Sequence, residues 1–173
     1  GSENKSKFNM MNPIDNIVDW VIEQIPSMGA GWCPPGMLGI GIGGTAEYCM
    51  QLAKKSLMDP IDMGQLKARG PQNDIEQLRI DIFDAVNAMG VGAQGLGGLS
   101  TVLDVKILDW PCHAAGKPVA MIPNCAATRH AHFTLDGSGP AYLEPPKIAE
   151  YPQVTWKPDQ AAKRVDLDNL TPE

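Results

Sequence analysis

The stretch NDIEQLRIDIFDAVNAMG (residues 73–90), followed by a glycine run and then TVLDVKILD (residues 101–109), decides the fold class of this 173-residue chain. Asn73, with Glu76 three positions on, is a helix-start signal, because the Asn side chain can accept an N–H of the first turn and the Glu can reach back. Ile75, Leu78, Ile82, Phe83, Val86 and Met89 then recur at helical spacing, and Gly90 offers the left-handed stop. Residues 101–109 switch to a period of two: Leu103, Val105 and Ile107 on one face, Asp104 and Lys106 on the other. That is a strand. A capped helix running into an alternating strand predicts an α/β layer structure, a sheet with flanking helices.

Upstream, Asn12 is the expected cap and Pro13 the first residue of another helix, whose apolar stripe is Ile14, Ile17, Val18, Val21, Ile22 and Ile25 and whose stop is Pro26. Residues 38–42 form a short apolar run among glycines and read as a buried strand. Thr45 can cap the next helix, with Ala46, Cys49, Met50, Ala53 and Leu57 as its stripe and Asp59-Pro60 as its end. Downstream, residues 118–122 and 129–135 read as two further strands. After Asp136, Gly137, Gly139, Pro140, Pro145, Pro146, Pro152 and Pro158 predict an extended connector, and residues 164–170 the opening strand of another module.

The chain holds 18 Gly and 15 Pro, well above the usual combined share of about 12%. Loops and backbone-lined sites should therefore be prominent. Its net charge of −6 argues against nucleic acid or an anionic membrane surface as the main partner. Two uncharged stretches, residues 25–46 and 85–103, approach the length of a membrane span, but seven and five glycines respectively interrupt them. Four cysteines are too few for a disulfide scaffold, which predicts a reducing, cytoplasmic setting with thiols free or on metal.

Several motifs could carry chemistry. Cys33 lies in Trp32-Cys33-Pro34-Pro35-Gly36, a stiff turn suited to a thiolate ligand on a pre-set loop, or equally a small cysteine in an ordinary turn. Cys125 follows an apolar strand and has small neighbours, which leaves room for a bulky cofactor or marks a core cysteine. Neither belongs to a C-x-x-C pair. Cys49 reads as packing, and Cys112, beside His113, as structural. His113 sits at a strand-to-loop exit where it could approach a substrate. His130 and His132 share a face of the expected strand and could bind metal. Gly39-Ile40-Gly41-Ile42-Gly43-Gly44 matches G-x-G-x-x-G, so a dinucleotide site is an alternative, with Asp59 or Asp62 as the later acidic residue. Gln94 is the one polar side chain of the run at residues 92–98 and could point into a site as a substrate-binding residue.

GSENKS at the start, GWCPPGMLGIGIGGTAE, GVGAQGLGG, HAAGKPVA and PNCAATRHAHFTLDGSGPA occur in this order. Together they resemble the N-terminal catalytic region of the class I, iron–sulfur fumarases, which is related to the α part of L-tartrate dehydratase. The resemblance runs from residue 1 to about residue 146. It implies a hydro-lyase that hydrates fumarate to (S)-malate reversibly, with the open iron of a [4Fe–4S] cluster as Lewis acid. L-tartrate dehydration is the rival reaction, and a nucleotide-binding oxidoreductase built on the glycine run the rival class. The resemblance implies cluster ligation by Cys33 and Cys125, with a third Cys upstream of this sequence, and both sulfurs should face one pocket. It implies His113 as the active-site histidine hydrogen-bonding the dicarboxylate, and Ser2, Asn4 and Lys5 as a substrate-side loop. On this reading residues 1–136 are part of a larger catalytic domain, residues 137–173 lead toward a C-terminal swivelling domain, the fragment alone is inactive, and the full-length protein is a homodimer.

Overall fold

A computed structural model describes residues 1–127 and Gly137. Residues 1–130 make up one compact unit and 131–173 a second. The expected strands at residues 129–135 and 164–170, the connector, and His130 and His132 lie outside the described residues.

The first unit carries a four-stranded mixed sheet: β1 (Lys7–Met11), β2 (Gly36–Gly43), β3 (Val102–Trp110) and β4 (Lys117–Cys125). Their spatial order is β1-β4-β2-β3, with β2 parallel to β3 and antiparallel to β4, and β1 antiparallel to β4. Four helices accompany it: α1 (Ile17–Met28), α2 (Ala46–Ser56), α3 (Met63–Arg69) and α4 (Asp74–Ala88). The alternation of the strands sorts the interior into two cores. Leu38, Ile40, Val105, Ile107, Val119 and Met121 pack with Val21 and Ile25 of α1 and Ile82 and Val86 of α4. Met37, Ala120 and Ile122 pack with Cys49 and Ala53 of α2 and with Leu57. The sheet is thus covered by helices on both faces, an α/β architecture of layered type.

Helix α4 follows its local signals. Asn73 Oδ1 accepts the Glu76 N–H at 2.9 Å. The returning Glu76 carboxylate accepts the N–H of Gln72 at 2.8 Å, one residue beyond the N-cap that a standard box would bond, and Arg69 engages the same carboxylate with a two-pronged contact. Helix α1 departs from expectation. Its cap is Asn16, which accepts the Val18 N–H at 2.9 Å, while residues 12–15 form a turn closed by the Asp15 carboxylate on the Asn12 N–H. Ile14 is therefore solvent-exposed. Pro26 does not end the helix but lies inside it, where it removes one donor from a last turn that closes at Gly29, φ +57°. In α2, Met50 of the expected stripe is exposed, and Leu52 and Ser56 are buried in its stead. The strand expected at residues 118–122 extends over Lys117–Cys125.

The polar side of β3 is the largest surprise. Asp104 and Lys106, on the face opposite the apolar residues, are buried, 0% and 4% exposed. β3 is an edge strand of the sheet, and α3, α4 and the loop before α3 wrap that edge. Asp104 accepts the N–H groups of Asp62 and Met63 at 2.8 and 3.2 Å. Arg79 of α4 donates to the Val105 carbonyl at 2.7 Å and bridges Asp62 and Asp104, and Lys106 reaches the same two carboxylates. Two cations meet two anions, so the cluster buries no net charge and satisfies a carbonyl of the strand edge.

Candidate active site

The antiparallel pairing of β2 with β4 sets Cys125 opposite Gly36, three residues beyond Cys33. The Cys33 and Cys125 Cα atoms are thus at most about 16 Å apart, from three virtual bonds of 3.8 Å plus one strand spacing. Both cysteines are free; Cys33 is exposed and Cys125 half-buried. Cys33 is held at φ +57°, a left-handed conformation that costs a non-glycine residue roughly 1–2 kcal/mol. Such strain gathers at sites where the surroundings over-determine the backbone.

The N-terminal residues converge on the same end. Lys7 pairs with Met121, so the chain before it runs toward Cys125, and the 3₁₀ turn Ser2–Lys5 packs along β4. Glu3 anchors that turn to α2 through Lys54 at 2.8 Å. The Lys5 side chain crosses Gly31, where a Cβ would collide with its Cε and come within 3.3 Å of its Nζ. The glycine makes room for an ammonium group two residues before Cys33. Ser2 is half-buried and Asn4 exposed in this turn. Gln94, from the loop after α4, donates its backbone N–H to the Pro34 carbonyl at 2.7 Å. Lys5, Cys33, Gln94 and Cys125 therefore share one end of the sheet.

His113 does not join them. It is exposed in the loop between β3 and β4, at the end where Gly43 pairs with Trp110. Seven strand steps separate that pair from Gly36, about 23 Å. There His113 lines an open cleft of about 740 Å³ with Tyr48, Trp110 and Cys112, beside the start of α2. Its Nδ1 accepts the Ala115 N–H at 3.1 Å, which leaves Nε2 as the protonated nitrogen of the neutral ring.

Hydrogen bonding separates the cysteines by chemistry. Cys49 and Cys112 direct their sulfurs at the carbonyls of Ala46 and Gly116. Burial pushes the Cys49 thiol up to about 11, with the Glu47 charge adding to it against a backbone hydrogen bond. The Cys125 sulfur instead accepts the Ala127 N–H at 3.4 Å. Beside Cys33, the fully buried Trp32 indole N–H has no partner among the described residues, an unspent donor in the wall of this end. The donor set thus fits thiolate-held metal at Cys33 and Cys125, although no group of three or more metal-binding side chains occurs among the described residues.

The glycine run of β2 has a use other than a nucleotide. Gly39 and Gly41 lie under α2, where any side chain would strike the helix backbone at Ala53 and Cys49. Sequence reading did not single out Asn87 or Thr101. Asn87 holds the start of β3 through the N–H groups of Thr101 and Val102, and Thr101 Oγ1 accepts the Gly92 N–H. An Asn in the last turn of a helix, ahead of a glycine run, was the available signal. Among the described residues, no helix is long and apolar enough to cross a membrane.

Comparison with known proteins agrees with the motif pattern. Residues 1–134 match the family described as fumarate hydratase (Fumerase). A Methanocaldococcus jannaschii protein named "Putative L(+)-tartrate dehydratase subunit alpha" is 41% identical over 134 residues, covering 76% of this chain and 45% of that protein. The L(+)-tartrate dehydratase subunit alpha of Escherichia coli K12 is 30% identical over 128 residues, 70% of this chain and 41% of its own length, and that of Shigella sonnei matches equally. The chain spans less than half the length of these relatives. With a family match over more than two thirds of its residues, the chain belongs to the fumarate hydratase (Fumerase) family of hydro-lyases.

Proposed function

We propose that this chain supplies two cluster thiolates and part of the substrate cradle of a hydro-lyase acting on a four-carbon dicarboxylate, with fumarate and malate as the first substrates. The observation that carries the reading is that Cys33, Cys125 and the Lys5 ammonium all lie at one end of the sheet. Cys33 and Cys125 would hold a [4Fe–4S] cluster, with a third thiolate from a segment outside this sequence. When bound, the cluster supplies a Lewis acid for the substrate hydroxyl. The chain's own part is positioning. Lys5 offers a positive charge to one substrate carboxylate, and Ser2 and Asn4 offer backbone and side-chain donors in the same turn. His113 stands at the opposite end of the sheet, so a contact with the same dicarboxylate would come from a second copy of the chain, as a homodimer allows.

A specific observation favours a second reading, L(+)-tartrate dehydration: the relatives above carry that name. The deciding experiment is a substrate panel on the whole protein, reconstituted anaerobically. Loss of fumarate absorbance at 240 nm is expected. Oxaloacetate from L-tartrate with no turnover of fumarate would reverse the assignment, and turnover of neither would remove both.

A further inference from the structure

We propose that Gln94 is a positioning residue for Cys33: the glycine loop that carries it clamps the Pro34 carbonyl and so fixes where the Cys33 sulfur stands. The inference rests on the reading of Cys33 as a cluster ligand and deepens it, assigning Gln94 to the ligand loop and not to the substrate.

Two donors of one residue converge on one acceptor. The Gln94 backbone N–H meets the Pro34 carbonyl at 2.7 Å and the side-chain Nε2 meets it at 3.4 Å. Gln94 and Cys33 are also the two non-glycine residues with positive φ among the described residues, at +54° and +57°. Each end of the clamp is thus a backbone conformation that does not persist without support. The support is traceable. The Gln94 loop closes on itself, Gly97 N–H to Val91 carbonyl at 2.8 Å and Gly98 N–H to Gly90 carbonyl at 3.2 Å. Gly92 sits at the crossing, where a side chain would strike Gly97. The Gly92 N–H is bonded to Thr101 Oγ1 at 3.0 Å, and the Thr101 carbonyl accepts the N–H of Gly36 at 3.3 Å. Gly36 in turn pairs with Cys125. The fully buried Thr101 therefore ties the Cys33 clamp and the Cys125 strand end to one point. A metal site with two ligands from distant segments needs such outer support to hold their spacing.

The test uses Gln94→Glu, which keeps the side-chain shape and removes the side-chain donor, and Gln94→Ala, which removes the side chain; both leave the backbone donor in place, so they read the part of the clamp that depends on the glutamine. In the 173-residue chain carrying Cys112→Ser and Cys125→Ser, Cys33 is tagged with a trifluoroethylthio group and read by ¹⁹F NMR. The parent should give one narrow resonance. Both Gln94 variants should split it or at least double its width while the urea midpoint stays the same, a combination that a merely structural role would not produce. In the whole protein, reconstituted iron content should fall at least threefold in both variants. A single narrow line together with full iron content in both would overturn the positioning role. If Cys33→Ser keeps its full iron content, the ligand reading fails, and it fails separately from the Gln94 inference.

Discussion

Gly41→Ala should be among the most damaging single-methyl changes available to this chain. An ideal Cβ at Gly41 falls on the Cys49 carbonyl oxygen, with Ala53 N at 2.7 Å and Cys49 C at 2.8 Å. Ordinary contact begins at 3.4 Å, so the Ala53 nitrogen alone must retreat by about 0.7 Å and the Cys49 oxygen by more. Every clashing atom is α2 backbone, so no rotamer relieves the overlap and the helix must lift as a body. A gap of 0.5–1 Å forfeits a quarter to a half of the dispersion attraction at each contact. The contacts at stake join Cys49 and Ala53 to Met37, Ala120 and Ile122. Overpacking costs about 1–3 kcal/mol, and two unyielding backbones place this case near 3. Total stabilities are about 5–15 kcal/mol. With a urea slope of about 1.5 kcal/mol/M, the midpoint should drop by about 2 M. Gly64→Ala is the matched control. It lies inside α3 with nothing within 4 Å of the added methyl, and it should gain about 0.5–1 kcal/mol from helix propensity. Urea unfolding followed by circular dichroism reads both. A loss below about 0.5 kcal/mol for Gly41→Ala would refute the packing explanation of the glycine run and reopen its ligand reading.

Asp104→Asn should cost about 3 kcal/mol, because it strands Arg79 and Lys106 with Asp62 as their one remaining carboxylate; a cost under about 1 in the same assay would show that the cluster carries little. Stability should fall with acid. Glu76 is held at about 2 by the Arg69 fork and then the Gln72 N–H, and although burial raises Asp62, hydrogen bonds from Lys106 and Arg79 outweigh it and leave its pKa lowered. Depressed carboxylates contribute stability above their unfolded values and lose it as pH drops through the folded ones, so the urea midpoint should hold above about pH 5 and decline from there toward pH 2. Glu76→Gln should flatten part of that decline, and an unchanged slope would contradict the assignment. In the whole protein, Cys125→Ser should abolish both iron retention and turnover, whereas Cys49→Ser, which replaces a buried thiol, should keep its iron; a brown, active Cys125→Ser variant would remove Cys125 as a ligand.

Helix α4 was legible because its cap at Asn73, its apolar period and its stop near Gly90 are local signals that agree. Strands β2, β3 and β4 were legible from apolar runs between glycines and prolines, whereas α2 was legible only in place: Thr45 makes no side-chain capping bond and Met50 of its expected stripe is exposed. β1 was not legible: Phe8 and Met10, the apolar positions of its short alternation, are exposed together with Asn9, so pairing with β4 and not burial of one face makes it a strand. The burial of Asp104 and Lys106 was equally out of reach. Their neutralising partners come from Asp62 and Arg79, 42 and 25 positions from Asp104, and a local pattern cannot show a charge arriving from that far.

The site divides along the same line. Residue chemistry named Cys33, Cys125 and His113 only as candidates beside ordinary structural roles, and the family resemblance gave them functional ones. Which of them meet was decided by the order β1-β4-β2-β3. His113 and Cys125 are close in sequence, yet β4 between them is an extended strand that carries them to opposite ends of the sheet. Cys33 and Cys125 are far apart in sequence, yet antiparallel pairing sets the end of β4 against the start of β2. Sequence distance measures contour length; the hydrogen-bond register of the sheet measures proximity, and it exists only once the strands have paired.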